Sequence, residues 1–126
     1  MMDKILIVED DEDLITLLKS GLSRNGYQVR ATISCKEGLE IFYQFLPDLV
    51  ILDINVGNED GREMCRQIKA SAEFQLIPVI MISANDISLE LYKDYGANDI
   101  LKKPFLLAQI QKLISKYLPI KPGYKC

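Results

Sequence analysis

Short apolar runs that alternate five times with amphipathic stretches predict an α/β fold built on a parallel sheet. Ile5-Leu6-Ile7-Val8 and Leu49-Val50-Ile51-Leu52 lack the in-out alternation of a half-exposed strand, so they read as strands buried on both faces. The run ends supply a third observation. The first run enters Glu9-Asp10-Asp11, the second enters Asp53, Pro78-Val79-Ile80-Met81-Ile82 enters Ser83, and Ile100-Leu101 enters Lys102-Lys103-Pro104. Ligands of such sheets sit at the carboxyl ends of the strands. Neighbouring strands would therefore gather carboxylates, a hydroxyl and a lysine on one edge.

Strands are expected over residues 4–8, 28–32, 48–53, 78–82 and 99–101. The first helix, near 13–24, carries Leu14, Leu18 and Leu22 on one face with Ile15 beside them, and Asn25-Gly26 supplies the left-handed stop. Helix two opens on Ser34-Cys35-Lys36-Glu37, a capping-box pattern, and shows Leu39, Phe42, Tyr43 and Leu46 at helical spacing. Helix three, roughly 61–71, has a weaker stripe through Met64, Cys65 and Ile68. Helix four, near 87–95, offers Leu89, Tyr92 and Tyr95 before Gly96. Helix five follows Pro104 with Ile110, Leu113, Ile114 and Tyr117, and Pro119 and Pro122-Gly123 close the domain.

A length of 126 residues suits one domain with a real core, and no internal repeat or linker divides it. A net charge of −3 gives no basic balance pointing to nucleic acid or an anionic membrane. No apolar stretch approaches the about 20 residues that span a bilayer, and the N-terminus lacks the order of a signal peptide, so a cytoplasmic protein is expected. Cys35, Cys65 and Cys126 are an odd count without a CxxC spacing, which favours free thiols. The absence of histidine excludes Ser-His catalysis and the usual zinc sites, and it means that a phosphohistidine must come from another protein.

Each acid has a plain structural reading as well. Acids in a first turn favour the positive end of a helix dipole, which accounts for Asp11 or Asp13 without any chemistry. That does not explain why a second run ends in Asp53. Crowded carboxylates repel unless a cation sits among them, and magnesium takes oxygen ligands of this kind. An aspartate beside such a cation can attack a phosphoryl group to give an aspartyl phosphate, a reaction that needs mainly positioning and charge neutralisation. Lys103 would place positive charge on the phosphoryl oxygens, and Ser83 a hydroxyl. Ser83 alone could satisfy local backbone, and Lys102-Lys103 could be a solvated pair, but Pro104 beside them starts a helix and directs the preceding residue.

Four motifs in this order, ILIVED (5–10), DLVILD (48–53), PVIMISA (78–84) and GANDILKKPF (96–105), resemble those of the receiver domain of a bacterial two-component response regulator. The resemblance covers residues 3–118. It implies a doubly wound, flavodoxin-like sheet of five parallel strands in the order 2-1-3-4-5, with helices on both faces. The receiver domain is expected over residues 1–118, with a short tail at 119–126 and no second domain. The resemblance further implies that Asp53 is the phosphoacceptor, and that Glu9 and Asp10 hold Mg2+ directly or through water. Asn55 would complete the metal shell with its backbone carbonyl, Ser83 would be the switch hydroxyl, Lys103 the lysine that precedes the family's proline, and Lys102 a bystander. Asn55 and Asn85 fall where relatives tune phosphoryl lifetime.

Two departures stand out. Ile100 occupies the switch position that usually holds an aromatic residue, and Gly57 replaces the usual proline after the phosphosite, which loosens that loop. The expected donor is a sensor histidine kinase or histidine phosphotransfer protein. The expected output is a downstream protein on the helix four, strand five, helix five face, with a homodimer left open; Lys112 and Lys116 supply no charge code for one. The chain is read as a phosphoacceptor rather than an enzyme, limited to self-phosphorylation and slow autodephosphorylation. The alternatives are a Mg-dependent phosphohydrolase, which Asn55 in place of an acid disfavours, and a non-phosphorylated interaction module. A flavin protein is weaker still, because Glu9-Asp10-Asp11 would repel a phosphate.

Overall fold

Residues 2–85 and 92–119 are described by the computed structural model of the chain. In chain order the elements are β1 (Lys4–Val8), α1 (Glu12–Arg24), β2 (Gln28–Thr32), α2 (Cys35–Phe45) and β3 (Leu49–Asp53). A small hairpin follows, β4 (Asn55–Val56) and β5 (Glu59–Asp60), then α3 (Gly61–Ala70) and β6 (Val79–Ser83). A 3-10 turn (Tyr92–Tyr95), β7 (Asp99–Lys102) and α4 (Leu107–Tyr117) complete the described residues. The long strands lie in the order β2-β1-β3-β6-β7, all parallel. With the hairpin set aside, this is the expected order 2-1-3-4-5.

The sheet has no wet face at its centre, which is why its strands read as unbroken apolar runs. Every residue of β3 and β6 is buried. Alternate side chains divide between two layers. Leu6, Val8, Val50, Leu52 and Met81 pack with Phe42, Met64 and Ile68 of α2 and α3. Ile5, Ile7, Ile51, Ile80 and Ile82 pack with Leu18, Leu22, Ile110 and Ile114 of α1 and α4. The Leu18–Leu22 face of α1, the Met64-Cys65-Ile68 stripe of α3 and the Ile110–Ile114 face of the expected fifth helix, here α4, are buried as expected.

Helix α2 differs from expectation in its rotation. Its buried stripe runs through Cys35, Gly38, Phe42 and Phe45, while Tyr43 and Leu46 are 52% and 50% exposed. Gly38 lacks a hydropathy signal, yet a Cβ there would lie 3.0 Å from Val8 and 3.2 Å from Met64, so the helix lies down on its glycine. Leu46 ends the helix with a left-handed φ of 53°, which turns it off the buried face. The capping box is half formed. Ser34 Oγ accepts from Glu37 N at 3.3 Å, but Glu37 accepts from the Thr32 hydroxyl instead of returning to Ser34. The expected fourth helix, near 87–95, lies partly outside the described residues, Leu89 included, and Tyr92–Tyr95 form a 3-10 turn. Among the described residues, no helix is long and apolar enough to cross a membrane.

Candidate functional site

The carboxyl ends of β1, β3, β6 and β7 bring Glu9, Asp53, Ser83 and Lys103 to one edge. Glu9 follows β1, and its amide continues the sheet by donating to Thr32 O at 3.0 Å. Its side chain is fully buried. Asp10 and Asp11 then emerge into solvent. Asp11 caps α1, accepting from Asp13 N at 3.0 Å and Leu14 N at 3.2 Å, so one acid of the three has a structural task.

Asp53 ends β3 and is 4% exposed. Its two oxygens are held differently. Oδ1 accepts from Asn55 N at 3.0 Å, and Oδ2 accepts from Lys103 Nζ at 2.6 Å. The same ammonium lies 2.7 Å from Glu9 Oε1. Glu9 Oε2 accepts from Asp11 N at 3.0 Å, whereas the buried Oε1 makes an ion pair with Lys103 without a hydrogen bond of proper direction. Asp10 Oδ2 accepts from Gly57 N at 3.0 Å, which ties the acidic turn after β1 to the loop after β3.

The charges do not balance here. Ligand oxygens of Glu9, Asp10 and Asp53 all lie within 4.8 Å of one another, and among the described residues the ammonium of Lys103 is paired with Glu9 and Asp53. Burial, and after it the charge of Asp53, pushes the Glu9 carboxyl up to about 7 despite Lys103 and the Asp11 amide. Asp10 is held below its ordinary value, first by hydrogen bonding with Glu9 and then by the Gly57 amide. For Lys103, burial works against the charge, but the two carboxylates outweigh it and its pKa is raised. Hard oxygen donors, excess negative charge and a buried carboxylate oxygen without a hydrogen bond are what a small divalent cation fits.

Ser83 is buried at the end of β6, where its carbonyl accepts from Lys103 N at 2.8 Å. Its hydroxyl accepts from Asn85 N at 3.0 Å. Asn55 contributes through its backbone, while the residue itself is exposed at the start of the hairpin. Ile100 pairs with Met81 across the sheet and packs, half-buried, on the α2 and α3 side of the core together with Tyr92 and Tyr95. Lys102 is exposed next to Lys103, whose peptide bond to Pro104 is cis.

The hairpin was not legible in the sequence, and it shapes the site. Gly61 starts α3 directly over the backbone of Asp53: a Cβ there would fall 2.0 Å from Asp53 O. Gly61 N also donates to Ile54 O at 2.7 Å. Asp60 caps α3 through Arg62 N at 3.0 Å and binds the Arg62 guanidinium, which reaches Tyr95 Oη at 3.1 Å. Asp60-Gly61 is a readable helix start; the role of Glu59, described below, has no comparable signal.

The family model described as the response regulator receiver domain matches residues 5–115. Among solved structures, the chain is similar to a protein assigned as a response regulator from Chloroflexus aurantiacus. They are 28% identical over 93% of this chain and 98% of that one, with a TM-score of 0.87. It is similar at 26% identity, over 93% and 98% of the two chains and with a TM-score of 0.83, to the receiver domain of the sensor histidine kinase PA1611 from Pseudomonas aeruginosa. That structure has a magnesium ion coordinated in its active-site cleft. The chemotaxis response regulator CheY4 of Vibrio cholerae shares the fold, with 23% identity over 94% of this chain and all of that one and a TM-score of 0.87.

Proposed function

The chain belongs to the response regulator receiver-domain family, a phosphoacceptor of two-component signalling, and we propose that Asp53 is the residue that takes the phosphoryl group. One observation carries this reading. Asp53 is the carboxylate at the carboxyl end of the central strand β3, with one oxygen on Lys103 Nζ and the other on the Asn55 amide. Receiver domains take the group from histidine kinases or phosphotransfer proteins, and this chain, without histidine, cannot form the phosphohistidine itself.

A carboxylate oxygen of Asp53 attacks the phosphorus of a phosphohistidine, forming an O–P bond as the N–P bond breaks. The bond electrons stay on the imidazole nitrogen. Lys103, already poised between Asp53 and Glu9, follows the charge that develops on the phosphoryl oxygens. Magnesium held by Glu9, Asp10, Asp53 and the Asn55 carbonyl, directly or through water, would neutralise that charge further. Glu9 Oε1, buried with the Lys103 ammonium beside it but no hydrogen bond, supports this assignment. The receiver extends over residues 1–118 in this reading, with 119–126 as a tail.

The phosphoryl group adds about −1.5 to −2 charges at pH 7. Ser83 leaves Asn85 for the new oxygens, and Lys103 follows them. Both sit at the ends of β6 and β7, so the change is passed to the face formed by the 92–95 turn, β7 and α4, where a downstream protein binds. Incubation with magnesium and a small-molecule phosphodonor, read by intact mass, should add one phosphoryl group to the wild type and none to Asp53→Ala. An unmodified wild type, or an equally modified variant, overturns the assignment.

A further inference from the structure

The loop after Asp53 carries Gly57 at a φ of 58°, with no proline to set its course, yet it forms a closed hairpin. Two carboxylates tie that hairpin to its surroundings, one from outside it and one from within it. Asp10 takes the Gly57 amide at 3.0 Å. Glu59 reaches across to α2, where Oε1 accepts from Cys35 N at 2.8 Å and Oε2 from Lys36 N at 3.1 Å. Those are the first two amides of α2, which no carbonyl within the helix can satisfy. We infer that Glu59 is a positioning residue for phosphorylation: it anchors the loop to α2 and so holds the Asn55 and Gly57 amides where they engage Asp53 and Asp10. The inference rests on Asp53 being the phosphoacceptor.

The register of the hairpin makes the link short. Asn55 pairs with Asp60, and Val56 with Glu59. The Glu59 backbone is thus bonded to the strand whose first amide donates to Asp53 Oδ1. The neighbouring Asp60, on the same strand, joins the hairpin to α3. Without Glu59 the hairpin keeps only its bonds at α3 and the one bond from Gly57 N to the exposed Asp10, and Gly57 gives it freedom to swing. Misplacing groups around a nucleophile costs rate even when they carry no chemistry themselves.

Glu59→Ala and Glu59→Gln are compared with Ser34→Ala in the full chain. The last variant removes another cap of α2, the Ser34 Oγ bond to Glu37 N, without touching the hairpin. All three should melt at a lower temperature than wild type. Phosphorylation by the small-molecule donor, at saturating magnesium and well below the melting temperature, should slow about tenfold in Glu59→Ala, less in Glu59→Gln, and stay at the wild-type rate in Ser34→Ala. Amide exchange of Gly57 should quicken in the Glu59 variants alone. Wild-type rates in both Glu59 variants overturn the inference, as does equal slowing in Ser34→Ala, which would make helix stability the cause. A wild type that takes no phosphoryl group overturns the phosphoacceptor assignment instead. Unchanged Gly57 exchange in Glu59→Ala then still refutes the anchoring.

Discussion

Two part-buried lysines at opposite edges of the sheet are surrounded by oxygens of different kinds. Lys69, near the end of α3, donates to Gln75 O at 3.1 Å, Ile77 O at 2.6 Å and Asn98 Oδ1 at 2.7 Å, all neutral acceptors. Burial there lowers its pKa. Lys103 is buried too, yet Asp53 and Glu9 raise its pKa. Lys69 closes its surroundings, since each of its three donors meets an oxygen and no net acid is left over. Around Lys103 three carboxylates face one ammonium. A closed polar cluster serves the fold, whereas an unbalanced one is poised to take up more positive charge and to respond when negative charge arrives.

The contrast can be broken by exchanging what each lysine does. Lys103→Ala should slow phosphorylation by a small-molecule donor about a hundredfold, or ~2.7 kcal/mol of transition-state stabilisation, measured from initial rates by intact mass. A loss of less than about threefold would remove Lys103 from the charge stabilisation proposed for it. Lys69→Met keeps the stem that packs on Gly96 but takes the donor away from the Gln75 and Ile77 carbonyls, while Asn98 Oδ1 keeps Val79 N. It should lower unfolding free energy by about 2 kcal/mol in urea titrations while the phosphorylation rate stays at wild type. A slowed Lys69→Met would mean that the two edges are coupled.

Smaller effects should separate the edges through ion and proton binding. Magnesium well above its Kd should stabilise the wild type by about 1–3 kcal/mol in urea titrations, and Asp10→Asn should lose most of that gain. The pH dependence follows from Glu9. Its carboxyl moves from 4.5 to about 7 on folding, so between those values the native state binds more protons than the unfolded chain. The contribution of Glu9 to stability without magnesium should therefore be fully present below the unfolded value and be lost as pH rises through about 7. Saturating magnesium should flatten this slope, because it favours the ionised carboxylate. Asp60 and Asp99 act in a separate window. Arg62 holds Asp60 below its ordinary value, and Lys116 and Tyr117 hold Asp99 down despite burial, so their contribution is lost only as pH falls below the carboxylate range. An unchanged urea midpoint between pH 5 and pH 7.5 would remove Glu9 from the titration.

Much of the site was legible because a parallel sheet obeys a simple rule: whatever follows an apolar run arrives at the same edge. Glu9, Asp53, Ser83 and Lys103 each follow such a run, and the structure gathers them there. What the rule omits is the far end of each contact. Asp10 meets the Gly57 amide across 47 positions of sequence, and Glu59 meets Cys35 and Lys36 across 24 and 23. Helix α2 shows the same limit in its packing. Gly38 is silent in any hydropathy stripe, yet its missing side chain sets the face on which the helix lies.

The sequence by itself determined the class of fold, the five long strands and the set of polar groups at their ends. Periodicity and run length are local properties, and burial on both sides leaves a sheet strand little choice of residue. Only the tertiary structure decided how those groups share their bonds: that Lys103 divides one ammonium between Glu9 and Asp53, that Glu9 Oε1 is left without a hydrogen bond, and that Ser83 turns to Asn85. It also decided that the glycine-bearing loop is anchored through Glu59. Hydrogen bonds depend on angles and on distances of a few tenths of an ångström, set by how separate elements pack rather than by the residues that compose any one of them.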